Sequence, residues 1–348
     1  MQYQKYFPNH IIIGLIFCYC LGSSCRSKTD VPHPTLSQID LPLTSYRFDS
    51  ALYSIDTSHL LQGIEQLGLA QPDFTSLFFQ QITGFEKHGL DQDFIKAVHH
   101  FLTYKDYRNL YDSVQKKYPQ VKDIDQKLET LFKHIHYYFP EEKWQQVYYF
   151  ISGLNQWSAI TYDSIVGVGL DMHLGKDFPF YQSANLGFAQ YQIDRFEKEY
   201  IPINVAKVIY ENKYPFVPEN STLLDMMIQK GKQMQFLAYT MPDTKANLLL
   251  GYTPEQLKWC EDNERMIWNF FAAKKLLYAT QWQEIFRYIN DGPTSTGMPP
   301  ESPGNIGTWI GWRIIQHYMN EHPEKTLPNV LNEKQNSLQL LKEAKYKP

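Results

Sequence analysis

The placement of four cysteines constrains this chain more than any other feature. Cys18 and Cys20 lie in an apolar run, Ile11 to Leu21; one lysine, Lys5, precedes it, and Gly22, Ser23, Ser24 and Cys25 close it. This is the outline of a signal peptide. The run has about half of the roughly 20 residues that a membrane-spanning helix requires, and the small residues after it suit a peptidase cleft. A lipoprotein signal over residues 1–24 is expected to leave, with the Cys25 thiol acylated. Ordinary secretory cleavage near Ser24 would instead leave Cys25 as a free thiol on a soluble protein. After acylation Cys260 stands alone, so no disulfide can form within the mature chain. The fold must be held by its core, and about 300 residues suffice for one large core or two smaller ones.

Charge gives no reason to expect nucleic acid. The formal net charge is -4, and removal of Lys5 makes it only one unit more negative, whereas a phosphate-binding surface needs clustered cations. Residues 25–48 contain Pro32, Pro34 and Pro42 among Ser, Thr and Asp and read as an extended tether. In the helical region 49–140, apolar residues recur at helical spacing, as in Phe94, Val98, Phe101 and Leu102, and in Ile124, Leu128, Leu131 and Ile135. His99-His100 and His134-x-His136 diverge on a helix and make no metal pair.

Residues 141–348 mix strands with helices. Val147 to Ile151 is β-rich, and Ser164 to Gly175 alternates, with Val166, Val168, Leu170, Met172 and Leu174 opposite Gly167, Gly169, Asp171 and His173. Two readings stay open: a strand with a bare face lining a cleft, or glycines that admit a tightly packed helix while Asp171 and His173 begin a turn. Asp163, Asp171, His173, Tyr181 and Lys230 are the candidate cleft residues. Tyr148, Tyr149, Phe150, Phe178, Phe180 and Tyr181 form an aromatic cluster able in principle to stack on a sugar or hold a peptide.

Three helix starts follow. Pro202 sits in a first turn, Thr222-x-x-Asp225 resembles a capping box, and Thr253-Pro254-x-Gln256 combines an N-cap, proline at N1 and a capping glutamine. The last helix is predicted to run to about Tyr278. Its inward stripe of Leu257, Cys260, Ile267, Trp268 and Phe271 includes Glu264, which needs a partner; Arg313 is proposed. Gly304, Gly307 and Gly311 make a small-residue face against which a second helix can pack closely. The fold class is therefore mainly α with a small β-sheet (α+β).

The order of strands and helices fits a degenerate zincin-like body. Zinc peptidases need two histidines four apart on the first helix, with a glutamate beside the first. No His-Glu-x-x-His occurs; residues 203–212 hold no histidine, and Lys230-Gly231-Lys232 stands where an acidic ligand is wanted. There is likewise no Gly-x-Ser-x-Gly elbow, and Cys260 reads as a small core residue. No catalytic residue, metal or cofactor is expected.

Longer motifs carry a resemblance: Leu170-Asp171-Met172-His173-Leu174-Gly175-x-Asp177, Met227-Ile228-x-x-Gly231-Lys232, Gly251-Tyr252-Thr253, Trp259-Cys260-x-x-Asn263-Glu264-x-x-Ile267-Trp268, and Ser302-Pro303-Gly304-x-Ile306-Gly307-x-Trp309-Ile310-Gly311-Trp312. With the signal, these resemble the gliding-motility-associated lipoproteins of Bacteroidetes, the GldB family, across essentially the whole chain. The resemblance implies a lipoprotein required for gliding, in an envelope that also houses the type IX secretion machinery, and a distant relation to a predicted zinc-peptidase family. The expected function is a non-catalytic scaffold or binding component, held to membrane by its lipid and meeting envelope proteins of that machinery. The alternatives are a metallopeptidase-like enzyme with a non-standard site and a glycan- or peptide-binding lipoprotein. Arg26-Ser27-Lys28 gives no acidic run after Cys25, which favours the periplasmic face of the outer membrane.

Overall fold

A computed structural model describes residues 31–85, 89, 91–183, 185–215 and 221–348; Cys25 and the signal segment lie outside the described residues. The sheet is small and mixed. Its four strands, β1 (Thr44–Arg47), β2 (Gln146–Phe150), β3 (Ala159–Tyr162) and β4 (Ile165–Gly169), lie in the order β1-β2-β4-β3. β2 runs parallel to β1 and to β4, and β3 is antiparallel to β4. The rest of the described residues are helix or loop, so the fold is α+β and mainly helical.

The ordered body begins earlier than the proline-rich composition suggests. Leu41 is buried and β1 pairs residue for residue with β2 from Thr44, within the stretch read as tether. A strand of four mostly polar residues has little β signal of its own, and its conformation comes from the partner strand. Arg47, at its end, forks onto the fully buried carboxylate of Asp49 at 2.8 and 2.7 Å and donates to the Tyr118 carbonyl at 2.7 Å. That charge pairing fixes the turn from sheet to helix.

Among the described residues six α-helices lie between β1 and β2: α1 (Phe48–Tyr53), α2 (Leu60–Ala70), α3 (Pro72–Leu77), α4 (Gln92–Thr103), α5 (Lys105–Lys117) and α6 (Lys122–Tyr138). The apolar periodicity read in residues 92–138 is the buried stripe of α4 to α6. These helices share one core with the sheet. Phe74 stacks on Tyr148 at 4.4 Å and meets Phe48 edge-on at 4.9 Å. Residues 49–140 therefore depend on the strands for burial, and a single apolar core runs through residues 31–348.

After β4 come α7 (Gln190–Ile193), α8 (Tyr200–Lys213), α9 (Leu223–Thr240), α10 (Ala246–Leu250), α11 (Pro254–Asp262), α12 (Glu264–Ala273), α13 (Trp282–Ile289), α14 (Ile306–Glu321), α15 (Leu327–Leu331) and α16 (Ser337–Glu343). The starts at Thr222 and Thr253 are capping boxes, each threonine accepting from the third helical N–H at 3.2 Å. The helix predicted to reach Tyr278 is two helices. Asn263 leaves helical geometry and its side chain donates to the Trp259 carbonyl at 2.8 Å, so the chain breaks between α11 and α12. A continuous apolar stripe does not reveal such a break, because both pieces bury the same side.

Gly311 of α14 lies against the α9 backbone, while Gly307 packs on the Tyr288 carbonyl of α13, which an added Cβ would meet at 2.7 Å. A Cβ on Gly231 would lie 2.8 Å from the Trp312 nitrogen, and one on Gly311 2.5 Å from the Met227 carbonyl carbon. The two backbones touch directly. Gly304 is in neither contact: it precedes α14 and packs on the Gly292 backbone in the preceding loop.

Candidate functional site

β2 and β4, being parallel, end together, and the chain after β4 turns sharply. β4 stops at Gly169, and Leu170–Met172 form a 3-10 turn that takes Asp171 and His173 off the strand. Of the two readings left open by sequence, the turn is the one observed; the bare strand face is not. A Cβ on Gly167 would lie 2.8 Å from Ile160 and 3.0 Å from both Phe150 and Phe74, and one on Gly169 would clash with the Trp157 backbone. The glycines let rings and backbone close over the sheet, leaving no cleft along β4.

Asp171 and His173 are both fully buried. One carboxylate oxygen of Asp171 accepts from the backbone N–H groups of Ser152 (3.0 Å) and Leu154 (2.8 Å) and from the Ser152 hydroxyl (2.9 Å). Its other oxygen has no partner. Burial raises the Asp171 pKa against these hydrogen bonds. His173 donates from Nδ1 to the Gly169 carbonyl at 2.9 Å, and its Nε2 accepts from the Asn204 amide of α8 at 3.1 Å. Burial lowers its pKa to about 4, so the ring is neutral near pH 7. Both ring nitrogens are used within the fold, leaving none for a metal or a substrate proton.

Tyr181 belongs to the same junction. Its hydroxyl donates to the Asp171 carbonyl at 2.5 Å and accepts from the Leu174 N–H at 3.0 Å, while the Tyr118 hydroxyl donates to the His173 carbonyl. The other two candidate cleft residues lie elsewhere. Asp163 is an exposed residue with φ +49° in the turn before β4, on the far side of a strand roughly 17 Å long. Lys230 is on α9, half-buried beside Gly231. The five do not form one cleft.

The aromatic cluster is mostly core. Tyr148, Tyr149, Phe150 and Tyr181 are buried, and Phe178 stacks edge-on against Tyr181 at 5.1 Å. Of the six only Phe180 is exposed, at 38%, with its ring 5.5 Å from Phe178, so the cluster presents no set of free ring faces to a sugar. Cys260 is likewise buried, and burial pushes its thiol pKa well up, as a core cysteine requires and a nucleophile does not.

Glu264 and Arg313 are brought together, with Nε donating to Oε1 at 2.9 Å and the Tyr346 hydroxyl donating to the same oxygen at 2.9 Å. The pair is partly exposed and ties the C-terminal end of the chain to α12 and α14. Lys232, read only as a cation in an awkward place, donates to the Glu333 carbonyl at 2.7 Å and holds the end of α15 against α9. Burial lowers its pKa to about 8.

A second polar cluster had no sequence signal. Arg195 donates to Asp291 at 2.6 Å, Asn305 donates to the other Asp291 oxygen at 2.8 Å, and the Tyr252 hydroxyl donates to Asn305 at 3.2 Å. Burial alone would raise the Asp291 pKa, but the charges of Arg195 and Lys207 hold it below the usual range. Lys207 on α8 is desolvated, which lowers its pKa against the attraction of Asp291. Arg195 also walls an open groove of about 490 Å³ with Tyr200, Gly251 and Tyr252. Asp291 and Arg195 are 96 residues apart, too far for any local pattern. Among the described residues no group of three His, Cys, Asp or Glu side chains is placed to hold a metal ion.

These features define a class: a mainly helical α+β protein whose strand-end Asp and His are sealed inside the fold. The chain belongs to the gliding motility protein GldB family, whose model matches residues 29–348. Membership gives it a role in gliding motility and, as a family of lipoproteins, a place in the cell envelope. No curated protein and no solved structure matched. No helix among the described residues is long and apolar enough to cross a membrane.

Proposed function

We propose that the protein is a non-catalytic scaffold or binding component, tethered through acylated Cys25 at the periplasmic face of the outer membrane, beside the gliding and secretion machinery. One observation carries the reading: His173, the one imidazole among the candidate cleft residues, has both ring nitrogens hydrogen-bonded inside the fold. The helix that meets it, α8, offers the Asn204 amide there instead of a metal ligand. On this reading the peptidase-like order of elements is inherited and serves as a rigid body for partners. Crosslinking in intact cells should recover envelope proteins of the machinery, and purified protein should carry no stoichiometric zinc. Stoichiometric zinc, or normal gliding in a strain lacking the protein, would overturn the proposal.

A further inference from the structure

A helix that covers a core should bury its apolar stripe and turn polar residues outward. α13 does the first and not the second. Ile285, Tyr288 and Ile289 are buried, while Trp282 and Phe286, one turn apart on the outer side, are 40% and 44% exposed with their rings 5.4 Å apart. Tyr278, just before the helix, is 59% exposed. The flanking exposed charges are Lys274, Lys275 and Arg287 against Glu284 and Asp291, and Asp291 is already paired with Arg195, so the cations are in excess here on a chain whose formal charge is -4.

We propose that this outer ridge of α13 is a membrane-docking surface, its Tyr278, Trp282 and Phe286 rings seated among the headgroups of an anionic bilayer and its three cations meeting lipid phosphates. Exposed tryptophan and tyrosine favour the water–lipid boundary because the ring is apolar and its N–H or O–H remains wet. Flanking lysine and arginine add attraction to anionic lipid. Val31 and Ile39 already pack against the core, so the chain from Cys25 can extend at most about 20 Å before the body begins, and a lipid at its end does not by itself fix which face meets the membrane. A second, weak contact on the body would set its orientation, since the anchor keeps it at high local concentration near the membrane. The inference uses the anchored reading only for its setting, and its test needs no anchor.

The test uses residues 31–348, which contain the whole described core, and measures co-sedimentation with vesicles of phosphatidylethanolamine and phosphatidylglycerol, alongside phosphatidylcholine alone. Binding to the anionic vesicles is expected, with little to phosphatidylcholine. The W282S/F286S double variant should bind at least about tenfold more weakly, from lost apolar burial, and K274Q/K275Q/R287Q should lose the preference for anionic lipid. Unchanged thermal melting shows that the altered positions left the fold intact. Absence of wild-type binding, or equal binding by W282S/F286S, overturns the proposal. So does an exposed-ridge variant that keeps vesicle binding but loses a crosslinked envelope protein, which would assign the surface to a protein partner.

Discussion

Gly311→Ala tests the packing on which the helical body depends. In an ordinary helix interior the change would stabilise by about 1 kcal/mol, because alanine loses less conformational freedom. Here the new methyl would lie 2.5 Å from the Met227 carbonyl carbon and closer still to its oxygen, against a comfortable carbon–carbon separation of about 3.5 Å. α14 must therefore move away from α9 by at least about 1 Å, against backbone that has no rotamer to yield. Overpacking against flexible side chains costs about 1–3 kcal/mol, and a backbone clash belongs at or beyond the upper end. After the propensity gain, a net loss of about 2 kcal/mol or more follows, and a fall in melting temperature of roughly 3 °C or more in a chain of this size. Gly68→Ala is the internal control. It sits in α2 with only the Thr75 methyl nearby, at 3.9 Å, so it should raise stability by about 0.5–1 kcal/mol. Chemical unfolding of residues 31–348 reads both. A Gly311→Ala protein as stable as wild type would refute the direct backbone contact.

Other outcomes follow from the buried junction and the ion pair. The His173 pKa falls from 6.5 to about 4 on folding, so the unfolded chain takes up a proton first as pH drops. Stability is full above about pH 6.5 and is lost toward pH 4, by about 3 kcal/mol in total; urea unfolding across that window should show a loss that His173→Gln reduces. Asp171→Asn keeps an acceptor for the three donors that Asp171 serves and should cost about 1 kcal/mol, whereas Asp171→Ala strands those donors and should cost about 3 kcal/mol or more; equal losses would mean the hydrogen bonds contribute nothing. Glu264→Gln should lower thermal stability by about 1 kcal/mol or less, since the Arg313 pair is partly exposed, and 1 M salt should narrow the difference.

Local chemistry was legible in the sequence, and long-range pairing was not. The caps at Thr222 and Thr253 are complete within four residues, so their sequence specifies them. Glu264 announced a partner because a carboxylate in an apolar stripe must have one, and Arg313 supplies it. The alternation from Val166 to Leu174 overran the strand because a buried 3-10 turn can place apolar residues in the same order. β1 was hidden because four residues are too few to show an alternating pattern, although Thr44 and Tyr46 favour strands. The Arg195–Asp291–Asn305 cluster is assembled entirely by the packing of distant loops. Asp171 and His173 were named as candidate cleft residues with a turn as the other reading, and pattern alone could not distinguish a sealed junction from an open cleft.

The central claim is that this body works through its place at the membrane and not through chemistry of its own. It is tested most directly by gliding in cells whose only copy carries Cys25→Ala, with the protein's distribution between membrane and soluble fractions measured in the same cells. Acylation at more than one position makes attachment durable, because each chain gains roughly 0.8 kcal/mol per buried CH₂ and one alone holds only marginally. The account predicts a folded protein in the soluble fraction and cells that do not glide. Normal gliding with the protein fully released would contradict it.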